Sequence, residues 1–141
     1  MWKNKRSWNI AKDVASYLSS LSEDDKLAFR TWARNAILEK WREDPIGNIS
    51  GVGLITFQYL RMMGGVDTVM PDKIVKRVIN GILEKAGCEP VSDDVEFVKK
   101  AEEVAITCGY RPIELCWMTW LTQPEGKKMR MEKYSTILSS I

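Results

Sequence analysis

Ile49-Ser50-Gly51-Val52-Gly53-Leu54-Ile55-Thr56 and, beyond it, Pro71-Asp72-Lys73-Ile74-Val75-Lys76-Arg77 are the two stretches on which the reading of this chain turns. In the first, glycines on either side of Val52 let the backbone reverse tightly and leave no Cβ between the peptide groups and a ligand. Val52, the apolar residue between them, anchors the turn. The N–H groups of Gly53, Leu54 and Ile55 then stand at the start of a helix, where unpaired donors and the helix dipole favour an anion such as a nucleic-acid phosphate. Contacts of that kind position a duplex without reading its sequence. In the second stretch Pro71 and Asp72 open a helix, and the aspartate places a carboxylate at its mouth.

Outward from these stretches the apolar spacing is helical. Ile10, Val14, Tyr17, Leu18 and Leu21 form one stripe, predicting a helix over about residues 9–21. Ser22-Glu23-Asp24-Asp25 reads as a capping box, followed by a longer helix carrying Phe29, Trp32, Ala33, Ala36 and Ile37 toward Trp41. Asp44-Pro45 predicts a very short helix at 45–49 before the glycines. Thr56 to Met63 is helical in pattern and is stopped by Gly64-Gly65. The acid-headed helix has Val75, Val78, Ile79, Ile82 and Ala86 as its apolar stripe and Gly87 as its stop. Lys73, Lys76, Arg77 and Asn80 occupy the other face. Ser92 is expected to cap a helix bearing Phe97, Ala101, Val104, Ala105 and Cys108, and Arg111-Pro112 starts another through Trp120. A last helix is expected from Pro124, with Tyr134, Ile137, Leu138 and Ile141 as its stripe. No alternating strand, repeat or low-complexity linker interrupts the series, so the fold class is all-α: one compact multi-helix domain over 1–141, with the glycine hairpin and acid-headed helix at 45–87.

With 141 residues the chain is long enough to bury a core without disulfides or metal. Its net charge of +2 carries no inference about nucleic acid, so any basic surface must come from local clusters. Two such clusters are Lys73, Lys76 and Arg77 beside the acid, and Lys127, Lys128, Arg130 and Lys133 near the C-terminus. The absence of histidine removes Ser-His-Asp and Cys-His catalysis and most zinc chemistry. Cys88, Cys108 and Cys116 lack CxxC spacing, which suits reduced thiols in a helical core. With no signal-like or membrane-spanning apolar run, a cytoplasmic protein is expected, with no membrane partner.

In their order and spacing, Ile49 to Thr56 and Asp67 to Arg77 resemble the helix-hairpin-helix DNA glycosylases, the family that includes endonuclease III and the adenine and alkyl-base glycosylases. Asp72 falls at the position of that family's catalytic aspartate, with Val75 and Arg77 matching its following pattern. The resemblance implies two helical lobes flanking a DNA cleft, with Asp72 as the catalytic acid and Gly51, Val52, Gly53, Leu54, Ile55, Thr56, Lys73, Lys76 and Arg77 facing DNA. It implies a base extruded into an aromatic pocket, for which the six tryptophans are candidates, although at helical spacing they read mainly as core. An anionic carboxylate stabilises positive charge developing on the sugar and orients water. Family members that form a Schiff base carry a lysine where Ile55 stands, and an apolar side chain supplies no amine. The expected reaction is therefore monofunctional hydrolysis of the N-glycosidic bond of a damaged or mispaired base. Three dispersed cysteines do not fit the family's iron–sulfur cluster, so no cofactor is expected; side chains offer no metal site, and a monovalent cation would be held by hairpin backbone carbonyls. Two alternatives stay open: a noncatalytic DNA-binding or repair-scaffold module in which Asp72 is only a cap, and a helical protein-interaction domain in which the hairpin is only a turn.

Overall fold

In a computed structural model, residues 4–124 are described, and they form α-helices joined by turns, with no strand among them. The chain divides into two compact units, Met1–Pro71 and Asp72–Ile141. The expected helix after Pro124 and the cluster Lys127, Lys128, Arg130 and Lys133 lie outside the described residues.

The first unit holds α1 (Lys5–Leu21), α2 (Asp25–Asn35), a 3-10 turn (Leu38–Lys40) and α3 (Leu54–Met63). Helix α1 begins five residues before its apolar stripe, because the Asn4 side chain accepts the Arg6 N–H and caps a polar first turn. The cap of α2 is Asp24, which accepts from Leu27 N–H, while Ser22 Oγ accepts from Asp24 N–H. Helix α2 does not continue to Trp41. It stops at Asn35, where Ala36 turns extended and the chain folds back so that Leu38 and Ile46 are buried. The predicted helix at 45–49 is a run of turns instead. Asp44 accepts the N–H groups of Ile46 and Gly47, and a Cβ at Gly47 would collide with the Trp41 carbonyl oxygen, so close approach of backbone to backbone replaces helix there.

Helix α2 packs against both α1 and α3. Trp32 is the centre of this core, 3% exposed, stacked on Phe29 and edge-on to Phe57 with ring centroids 5.7 Å apart. Such aromatic pairs contribute about 0.5–1.5 kcal/mol beyond area burial. The loop 66–71 is held by one buried side chain. Gln58 donates to Thr68 Oγ1 and Val69 carbonyl at 2.9 and 2.8 Å, and accepts from Arg61. Its amide is fully paired, so its burial carries no desolvation debt.

The second unit holds α4 (Lys73–Lys85), α5 (Asp94–Thr107) and α6 (Pro112–Thr122), with α6 packed on both others. Helix α4 buries Ile74, Val75, Ile79 and Leu83; Ile82 and Ala86, expected inside, are exposed. The helix carries more apolar residues than one face can hide, and packing selects the arc through Ile74. The cap of α5 is Asp93, not Ser92, through its bond from Glu96 N–H. Gly87 and Gly109, both left-handed, end α4 and α5. Cys88 and Cys108 lie at these helix ends and are exposed, so Cys116 alone of the three sits in the core. Among the described residues no helix is long and apolar enough to cross a membrane.

Candidate nucleic-acid interface

In the first unit the hairpin is a fixed turn. Gly51 has φ 95°, and a Cβ on it would lie 2.8 Å from Ile10 Cδ1 and 3.0 Å from Arg6 Nε of α1. Only glycine combines that backbone with that approach. Val52 is buried and its N–H donates to the Ile49 carbonyl, so the turn is anchored from inside. Gly53, extended at φ −103°, is the N-cap of α3 and provides no side-chain cap. The first helical bond runs from Phe57 N–H to the Gly53 carbonyl. The amides of Leu54, Ile55 and Thr56 precede it, as orphan donors at the positive end of a helix do.

A Cβ built on Gly53 meets nothing within 4 Å, and Gly53 itself is exposed. Leu54 is buried in the core, Thr56 is half-buried and Ile55 is 45% exposed. Of the hairpin carbonyls offered to a monovalent cation, those of Ile49 and Gly53 already accept backbone N–H groups. Arg6 was not singled out from sequence. The signal was there in the basic start of the chain, but only the contact across to Gly51 assigns this arginine to the hairpin.

In the second unit Asp72 heads α4. Its Oδ1 accepts from the Ile74 and Val75 N–H groups, each at 2.9 Å, and its Oδ2 accepts from the indole Nε1–H of Trp120 at 2.7 Å. The carboxylate is thus a cap and a tether of α4 to α6 at once. Lys76 donates to Asp94 Oδ1 at 2.6 Å and to the Ser92 carbonyl, and Arg77 donates to Gln123 Oε1 at 3.1 Å. Asn80 clamps Val91 in both directions. The stripe that sequence offered to phosphates therefore joins α4 to the start of α5 and the end of α6, while Lys73 is exposed.

Comparison with protein-family models, with curated protein sequences and with solved structures finds no significant match for this chain. What the two units can do rests on their own chemistry: an exposed helix start without a side-chain cap behind a glycine turn in one, and a carboxylate locked in a single orientation in the other.

Proposed function

We propose that the protein binds the DNA backbone through the Gly51–Thr56 hairpin and hydrolyses the N-glycosidic bond of a damaged or mispaired base, with Asp72 as the catalytic carboxylate. The observation that carries this reading is the uncapped start of α3 at the exposed Gly53, with Arg6 of α1 against Gly51 in the same hairpin. Amide donors and a guanidinium grip phosphate and ignore base identity.

Asp72 supplies the charge. Its three N–H donors among the described residues occupy three of the roughly four lone-pair positions of a carboxylate, fixing its orientation and leaving about one for water or the developing sugar cation. Ile55 stands where an amine nucleophile would be needed for strand cleavage, so base release without β-elimination is expected. Duplexes carrying a panel of lesions, incubated with the protein and then heated in alkali, would reveal abasic sites. Absence of product from every lesion, or equal product from Asp72→Asn, removes the enzymatic part of the reading.

One observation favours a second reading. The bonds of Asp72 to Ile74, Val75 and Trp120 give it a complete structural role, as expected of a noncatalytic DNA-binding module in which the acid is only a cap. That module would bind DNA in a salt-sensitive way and release no base.

A further inference from the structure

The end of α3 away from the hairpin carries a second basic feature that the hairpin does not use. Arg30 and Arg34, both exposed, sit four residues apart on α2 and line a cleft of about 510 Å³ with Gly64, Gly65 and Val66. The cleft is a consequence of packing. A Cβ on Gly64 would come 2.3 Å from Ala33 Cβ and 3.3 Å from the Phe29 carbonyl oxygen, so the absence of a side chain lets the α3 terminus close against α2. Gly65, at φ 98°, turns the chain away, and a Cβ there would meet nothing within 4 Å.

Like charges at i and i+4 on a helix repel, by about 0.2–0.5 kcal/mol per pair. The positions three and four residues either side of Arg30 and Arg34 carry no acid to offset this. Lys26 continues the same face but lies among Glu23, Asp24 and Asp25, which offset its charge. Along α2, the positive charge without an acidic neighbour is therefore that of Arg30 and Arg34. The amides of Gly64, Gly65 and Val66 all donate to carbonyls within α3, so the guanidinium groups are the donors on offer. Paired guanidinium forks match the oxygens of a phosphate.

We infer that the Arg30–Arg34 cleft is a second phosphate-binding site, which holds the DNA backbone at the far end of α3 from the hairpin. Ten residues of α3 separate the two ends, about 15 Å at 1.5 Å per residue. At about 3.4 Å of rise per nucleotide in one strand, that length corresponds to four or five nucleotides. The inference rests on the DNA-binding reading and adds where the rest of the phosphate contact is made.

The test is a fluorescence-anisotropy titration of a labelled duplex by the full chain at several chloride concentrations, comparing wild type with R30Q/R34Q and R30K/R34K. Each phosphate neutralised contributes about 0.9 to the slope of log affinity against log salt, so R30Q/R34Q, which removes one phosphate site, should flatten that slope by about one while R30K/R34K keeps it. Urea unfolding should be unchanged in both variants, because the side chains are exposed. Binding by wild type with the same slope in R30Q/R34Q overturns this site and leaves the hairpin reading standing; no binding by wild type overturns both. A third arm adds inorganic phosphate at matched ionic strength. Displacement of the duplex beyond the effect of ionic strength, abolished in R30Q/R34Q, is expected if free phosphate and the DNA backbone compete for the same guanidinium groups; phosphate that binds the cleft without displacing the duplex would make it a free-phosphate site and overturn the backbone contact.

Discussion

Asp44 in the first unit and Asp72 in the second are built the same way and sit in different surroundings. Each accepts two turn N–H groups and one tryptophan indole: Ile46, Gly47 and Trp32 for Asp44; Ile74, Val75 and Trp120 for Asp72. Trp32 is buried between Phe29 and Phe57, whereas Trp120 is only half-buried. Asp44 concentrates its bonds on Oδ1, and Asp72 divides its bonds between cap and indole. A carboxylate that staples a turn to an indole is thus a structural device of this chain. Asp44 serves as an internal control for Asp72: what both lose on substitution is structure, and any loss of base release confined to Asp72 variants would be the chemistry proposed for it.

The largest effect is expected at Asp44. Asp44→Ala strands the buried Trp32 indole N–H and frees two turn amides, a loss of about 2–3 kcal/mol in urea unfolding followed by circular dichroism. A loss below about 1 kcal/mol would mean that water replaces the carboxylate at no cost and would break the parallel. Asp72→Ala should cost less, about 1 kcal/mol, because it removes a helix cap whose indole partner is within reach of solvent. A cost equal to that at Asp44 would put Asp72 wholly on the structural side.

The smallest effect sharpens the control. Burial first, and the charge of Asp44 second, raise the Tyr17 phenol above its ordinary value of 10.0. The folded state therefore holds that proton more tightly than the unfolded chain. The associated stability is complete below pH 10.0 and is lost as pH rises through the folded-state value. Asp44→Asn should move Tyr17 ionisation to lower pH in a tyrosinate absorbance titration, but not fully back, since burial remains. An unmoved titration would remove Asp44 from the account of Tyr17.

Helical periodicity made the two units legible element by element. Val14, Trp32, Phe97 and Ala101 are buried as their spacing demands, and Gly64, Gly87 and Gly109 follow the last residues of their helices. The misreadings have a common cause in contacts distant along the chain. Nothing local marks the break after Asn35 or the turns at 45–49; both follow from Trp41 and Trp32 meeting the segment that carries Asp44 and Gly47. Periodicity equally could not choose between two apolar arcs on α4. At the candidate site, the glycines and the capping role of Asp72 were readable because turn and cap chemistry is local. Trp120 was not, lying 48 residues from its partner, and neither was Arg6, whose relation to Gly51 exists only in the folded first unit.

Gly53 offers the most direct measurement. Its backbone is extended and a Cβ there meets nothing, so Gly53→Val should still fold, at a cost of about 1 kcal/mol for placing a poor N-cap residue at the start of α3. Gly51, left-handed and pressed on Ile10, gives no such clean variant. Fluorescence anisotropy with a duplex containing an abasic analogue, at two salt concentrations, is predicted to show salt-sensitive binding by wild type and a loss of at least about tenfold in Gly53→Val, as expected when a branched side chain covers phosphate-binding amides. Undiminished binding by a folded Gly53→Val, or no binding by wild type at either salt concentration, would contradict the claim that this hairpin holds a nucleic-acid backbone.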